Sequence, residues 1–120
     1  MTEVGKYVSV FNELTSSALP LGTIYISDGF SIHIQKRHSN CVQYIERISE
    51  IIAEPDYVGC NPNEPDSVEL VKTFDENIQI AIKLDTGKGY LYVASLYDVK
   101  QAKIDRRLAS GRLKQYKVQA

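Results

Sequence analysis

The sequence predicts an α+β domain, with helices first and an antiparallel meander after them. Three observations predict it. Apolar residues recur every three to four positions between residues 29 and 53, shift to a period of two over 67–97 (faultless from Ile78 to Leu84), and return to helical spacing after Asp98. At 120 residues the chain has the length of one domain with a single hydrophobic core.

Taken in order, "EVGKYVSVFNELTSSAL" (3–19) reads as an irregular opening helix, ended by Pro20 and Gly22. "GTIYIS" (22–27) is a short strand or an extended lead-in. Asp28 is placed to cap a helix over 29–37 by accepting an orphan backbone N–H. Asn40 with Gln43 has the form of a capping box opening a second helix over 41–53, in which Val42, Ile45, Ile48 and Ile52 face one way. Pro55 stops it. The period then falls to two. "DYVGC" (56–60) is a short strand candidate, and strands follow over 67–74, 77–85 and 89–97, the middle one alternating Ile78, Ile80, Ile82 and Leu84. "TGKG" (86–89) joins the last two as a hairpin turn; it lacks the GxxxxGK[ST] pattern of a phosphate loop. Asp98 with Gln101 offers another capping box, opening a last helix that ends near Gly111. The expected architecture is therefore N-terminal helices on a roughly four-stranded antiparallel sheet with a closing C-terminal helix.

Composition narrows the function. The chain is 43% apolar and 24% charged, a balance that excludes a disordered segment, and no apolar run reaches the roughly 20 residues of a membrane span. "MTEVGKYVSV" has no basic start followed by an apolar stretch, so a cytoplasmic protein is expected. Cys41 and Cys60 are too few for a disulfide framework or a zinc knuckle and read as reduced thiols. The net charge of −1 hides an asymmetry: Lys100, Lys103, Arg106, Arg107, Arg112, Lys114 and Lys117 face only Asp105 over 100–117, leaving −7 for the rest. A polyanion would meet one end of the molecule.

Only two histidines occur, both in "HIQKRHSN" (33–40). Zinc pairs on helices stand at i, i+4 with a carboxylate nearby; these stand at i, i+5 with cations between them, so no metal site and no cofactor are expected. On a helical wheel His33, Lys36 and Arg37 share a face turned from Phe30 and Ile34, on the side expected to meet the basic C-terminal helix. His38 leans toward the core edge unless the helix unwinds before it. Imidazole with fixed cations and no metal suits RNA backbone cleavage, in which the 2′-OH is the nucleophile and DNA is spared. A solvated helix face and an interhelical packing histidine are the structural alternatives. Tyr92 and Tyr97 in "YLYVASLY" (90–97) are either packed on the sheet or free to stack on bases; strict alternation puts Tyr92 on one face and Ser95 with Tyr97 on the other.

"HIQKRH" (33–38), "ISEIIAEPDYVG" (48–59), "LYVASLYDV" (91–99) and "KIDRRLASGRLK" (103–114) occur here in an order that resembles the phage-type nucleases of the barnase–EndoU–colicin–RelE superfamily. The resemblance spans about residues 23 to 114, so the chain divides into an N-terminal helical extension (1–22) and a ribonuclease-like domain (23–120). It implies a metal-independent endoribonuclease that forms a 2′,3′-cyclic phosphate, in a toxin-like or effector-like role. Carried over by position, its site draws on His33, Lys36, His38, Ser95, Tyr97 and Lys103. His33, His38, Lys36, Tyr97 and Lys103 are the catalytic candidates. Arg37, Tyr92, Ser95, Lys100, Arg106, Arg107 and Arg112 are the RNA-binding candidates. The expected partners are RNA, transfer RNA among them, and an inhibitor or immunity protein, with no membrane. The alternative is a non-catalytic nucleic-acid or protein-binding module of phage origin.

Overall fold

The computed structural model describes residues 1–116; Lys117, counted above in the basic segment, lies outside the described residues. A seven-stranded sheet runs through the molecule in the order β1-β2-β6-β5-β4-β3-β7. Its strands are β1 (Thr2–Tyr7), β2 (Gly22–Ile26), β3 (Tyr57–Gly59), β4 (Ser67–Thr73), β5 (Asn77–Leu84), β6 (Leu91–Val99) and β7 (Leu113–Gln115). Four helices accompany it: α1 (Ser9–Thr15), α2 (Phe30–Arg37), α3 (Ile48–Ala53) and α4 (Gln101–Ser110). A 3₁₀ segment (Ser39–Arg47) leads into α3.

The α+β class and the meander β4-β5-β6 agree with the sequence reading, whereas the four-stranded antiparallel sheet does not. The sheet is wider and mixed, because β2 runs parallel to β6 through Ile24↔Leu91 and Tyr25↔Tyr92. Where an opening helix was expected, residues 2–7 form an edge strand on β2, and only Ser9–Thr15 are helical. The helix expected over 41–53 is mostly 3₁₀. Cys41 and Tyr44, three apart, are the residues it buries, which suits three residues per turn. None of the expected side-chain caps forms: Gly29, His38 and Lys100 stand at the N-cap positions without a cap bond. Asp98 instead accepts from Asn40 Nδ2 at 3.1 Å and faces the Cys41 thiol, while Gln101 bonds Asn77 and Asp105.

The sheet separates two packed layers. Val68, Leu70, Ile78, Ile80, Ile82, Leu91, Val93 and Leu96 meet Phe11, Phe30, Ile34, Cys41, Ile48, Ile51 and Ile52 in the main core. On the other face Val71, Val99 and Leu113 meet Ile104 of α4, with Tyr57, Tyr97 and Leu108 packed around them. Helices α2 and α4 thus serve opposite faces, so the side that His33 was expected to share with α4 is not the one its helix packs on. Gly111, at φ +84°, ends α4 in the left-handed conformation and turns the chain into β7.

One irregularity decides which side chains meet. Val93 pairs with Ile82, but Ser95 pairs with Ala81, so Ala94 is an extra residue on β6. Such a bulge shifts the alternation by one position. Tyr92, Ser95 and Tyr97 therefore come to the same face, opposite Lys83, Ala81 and Gln79 respectively. Strict alternation had split them.

Candidate functional site

Strands β4 and β5 are apolar toward the main core, yet on the α4 side they carry Glu69 (4% exposed) and Gln79 (fully buried). A polar group without a partner at such a place costs free energy, so its partners matter. Gln79 donates from Nε2 to Glu69 Oε2 (3.2 Å) and to the Tyr97 hydroxyl oxygen (2.7 Å), and its Oε1 accepts from Arg107 Nη1 (2.8 Å). Glu69 also accepts from Arg112, at 2.9 and 3.1 Å from Nη2 and 3.3 Å from Nε. Five side chains from β4, β5, β6, α4 and the turn after α4 form one connected network centred on Gln79. Among the described residues no buried side-chain nitrogen or oxygen is left without a partner.

Backbone geometry places Arg112. Gly59 pairs with both Glu69 and Leu113, and a Cβ at Gly59 would collide with the Arg112 carbonyl. A glycine here lets the chain after Gly111 cross close over β3, which sets the guanidinium above Glu69. Arg107 and Arg112, with Lys103, Arg106 and Ser110, line an open cavity of about 410 Å³. Two of its cations are tied to the network, and their free N–H groups remain for an anion. The Tyr97 hydroxyl accepts from Gln79 and so keeps its own hydrogen to donate.

His38 completes the arrangement. Helix α2 ends at Arg37, and His38 takes an extended φ of −144°, leaving the helical path. Its ring lies against Tyr97, centroids 5.5 Å apart and planes tilted by 31°. Beside it, the Asn40 amide holds the Asp98 carboxyl below its usual range, helped by the Cys41 thiol and Lys100. Burial first, and the Asp98 charge next, push the Cys41 thiol up to about 11, so this cysteine is not a nucleophile near neutral pH.

The expected residues therefore separate. His38, Tyr97, Arg107 and Arg112 gather at the network; Lys103 and Arg106 line the adjoining cavity; Ser95 and Tyr92 follow along the same sheet face. His33, Lys36 and Arg37 are exposed on α2, and no side-chain hydrogen bond or ion pair among the described residues joins them to the network. Lys100 lines a different cavity with Asp75, Glu76 and Asp98, so the continuous basic face expected of Lys100, Lys103, Arg106 and Arg107 starts only at Lys103. Glu69 and Gln79 were missed. Their signal was a polar residue flanked by apolar ones, Glu69 between Val68 and Leu70 and Gln79 between Ile78 and Ile80, on the opposite face of the strand.

An α+β sheet face thus holds a buried carboxylate and amide, a phenol with an imidazole against it, and two arginines at its border. The chain belongs to the family described as phage-Barnase-EndoU-ColicinE5/D-RelE like nuclease3, whose model matches residues 2–106. The match takes in the N-terminal strand that was expected to lie outside it, and ends just before Arg107. No curated protein and no solved structure matches the chain. No helix among the described residues is long and apolar enough to cross a membrane.

Proposed function

We propose that this nuclease-family domain is a metal-independent endoribonuclease, and that the Gln79-centred face is its active site. The observation that carries the reading is the joining of Arg107, Arg112, Glu69 and Tyr97 through one buried amide, with His38 against Tyr97. RNA needs only proton transfer and charge stabilisation to cleave itself. Its 2′-OH gives up its proton as it bonds to the adjacent phosphorus, the bond from phosphorus to the 5′-oxygen breaks, that oxygen takes up a proton, and a 2′,3′-cyclic phosphate results. His38, half-exposed and against Tyr97, is the proton-transfer group, since an imidazole can both accept and donate a proton. Arg107 and Arg112 meet the charge that grows on the phosphoryl oxygens, and the Tyr97 hydroxyl donates a further hydrogen bond. In the resting geometry Glu69 and Gln79 hold the two guanidinium groups in place, so they are positioning residues. Lys103 adds charge from the same cavity, while His33 and Lys36 lie outside this set.

The test is cleavage of mixed-sequence RNA and of the matching DNA in excess EDTA, with products identified by mass spectrometry. A 2′,3′-cyclic phosphate from RNA alone is the expected result. Cleavage that EDTA abolishes, or equal cutting of DNA, overturns the mechanism. Salt-sensitive RNA binding without cleavage returns the domain to the binding-module alternative.

A further inference from the structure

The active-site face continues past Tyr92 into a cluster that the mechanism does not use. Tyr25 of β2 pairs with Tyr92 across the parallel junction, and Ile24 beside it is fully buried in the main core, so Tyr25 points to the active-site face. The Tyr25 and Tyr90 rings are 6.2 Å apart and nearly perpendicular; Tyr90 and Tyr92 are 6.0 Å apart at 60°. All three are half-buried. A cavity of about 260 Å³ opens between Tyr25 and Tyr90, bordered by Pro20, Leu21, Thr23 and Gly89. That is just below the roughly 300 Å³ at which pockets for drug-sized ligands begin, a size suited to one planar ring. At its rim Lys6 of β1 donates to Thr23 Oγ1 at 2.6 Å and pairs with Glu3 at 3.0 Å. The Lys6–Glu3 pair is exposed and worth little, so an arriving phosphate can take the ammonium from it.

We infer that Tyr25, Tyr90 and Tyr92, with Thr23 and Lys6, form a subsite for an unpaired nucleobase of the RNA strand that neighbours the cleaved bond. The inference rests on the ribonuclease reading and narrows the substrate to single-stranded RNA. Phenol rings stack on bases of any identity, and the cation at the rim meets the phosphate of the stacked nucleotide. Tyr92 stands four β5 positions from Tyr97 in the register, about 14 Å along the strand. The stacked base therefore belongs to a flanking nucleotide, not to the one whose phosphate reacts. The subsite also gives β1 and β2 a role in binding, since β1 supplies Lys6 and β2 supplies Thr23 and Tyr25. A paired duplex cannot offer a base to this cavity.

The probe is a fluorescein-labelled 2′-O-methyl oligoadenylate, which cannot be cleaved, followed by anisotropy with the whole chain. Tyr25→Leu with Tyr90→Leu should weaken binding roughly 5- to 150-fold, the range for losing one stacked base. Tyr25→Phe with Tyr90→Phe keeps both π faces and should restore parental binding. Moving a single abasic site along the oligomer should find one position at which the parent loses affinity and the leucine variant loses no more. Lys6→Ala should flatten the salt slope by roughly 0.7. Parental affinity in the leucine variant, equal loss in the phenylalanine variant, or no binding of the probe to the parent overturns the subsite. Because the probe does not react, its result is independent of cleavage. Stacking without cleavage of any RNA leaves the subsite standing and removes the ribonuclease; cleavage without stacking does the reverse.

Discussion

The two faces of the central sheet are built from the same strands and are chemically opposite. Toward α2 and α3, strands β4, β5 and β6 present Val68, Leu70, Ile78, Ile80, Ile82, Val93 and Leu96, all 2% exposed or less. Toward α4 they present Val71 and Val99 and, beside them, Glu69, Gln79, Ser95 and Tyr97, of which Glu69 (4% exposed) and Gln79 (0%) are also buried. Burying the first set drives folding, at about 25 cal/mol for each Å² removed from water. Burying Glu69 with Arg112 does little for stability, because a buried ion pair seldom outperforms apolar residues of similar size. The α4 side is held by its own apolar cluster of Val71, Val99, Ile104 and Leu113, and the polar groups of the proposed site lie beside that cluster.

The largest expected effect lies on the polar face and leaves the fold alone. His38→Ala should lower turnover at saturating RNA by about 10²–10⁴ while binding persists. His33→Ala, on the exposed side of α2, should leave turnover near the parent's. Single-turnover rates with both variants decide it, and the reverse result would move the proton-transfer role to α2.

Next come substitutions that set the faces against each other. Ile80→Ala opens a cavity in the apolar face and should cost about 2–5 kcal/mol in urea unfolding. Its RNA cleavage, measured where it is still folded, should change little. Arg112→Ala strands a buried carboxylate and should cost about 3 kcal/mol as well as activity. The double variant Glu69→Leu with Arg112→Met removes both charges; it should regain most of that stability and none of the activity. Recovered activity in the double variant would show that the pair is structural only.

Much of this division could be read from the sequence, and the exceptions share a cause. The unbroken alternation Ile78, Ile80, Ile82 and Leu84 announced β5, and the i, i+3 and i, i+4 pattern announced α2, because each signal is local. The strand β1 was not legible. Half of its residues are exposed, and it is held by pairing with β2 and by Ile52 of α3 closing on Gly5, contacts made far along the chain. The Ala94 bulge is also set by a partner strand, so Tyr92, Ser95 and Tyr97 could be nominated but not placed together. His33 was expected on the site face and His38 at the core edge unless the helix unwound before it; the chain does leave the helical path at His38, and the partner its ring then meets, Tyr97, lies far along the chain. Glu69 and Gln79 were not singled out, because their covering helix α4 and their partners Arg107 and Arg112 come from far along the chain.

A smaller effect separates turnover from binding along α4. Arg106→Ala removes a cation of the cavity that has no tie to Gln79, and should weaken RNA binding and flatten the salt slope by roughly 0.7. Lys103→Ala discriminates more sharply. A lower kcat at saturating RNA places Lys103 with Arg107 and Arg112, acting on the transition state; a change in apparent affinity alone places it with Arg106.

The smallest effect concerns the seam where the 3₁₀ segment meets β6. Cys41 is buried and faces Asp98, and its thiol is raised from about 9 to about 11, first by burial and then by that carboxylate. Below about pH 9 the thiol is protonated in both folded and unfolded chains, so its contribution to stability is fully present. Between about 9 and 11 the unfolded chain releases the proton while the folded chain keeps it. Stability should therefore fall with rising pH, by at most about 1.4 kcal/mol per unit for one proton. The buried Tyr7 phenol, also raised by burial, adds a loss of the same sign at higher pH, so the comparison must be between variants. Urea unfolding from pH 8 to 10.5 should show a shallower decline for Cys41→Ala than for the parent, and an intermediate one for Asp98→Asn, which removes the charge but not the burial. Asp98 runs the other way: held low chiefly by Asn40, it stabilises the fold above the ordinary carboxylate range, and that contribution is lost as pH falls through its lowered value. Equal slopes for parent and Cys41→Ala across the alkaline range would mean that the thiol ionises as freely folded as unfolded, and that the seam beside His38 is open to water.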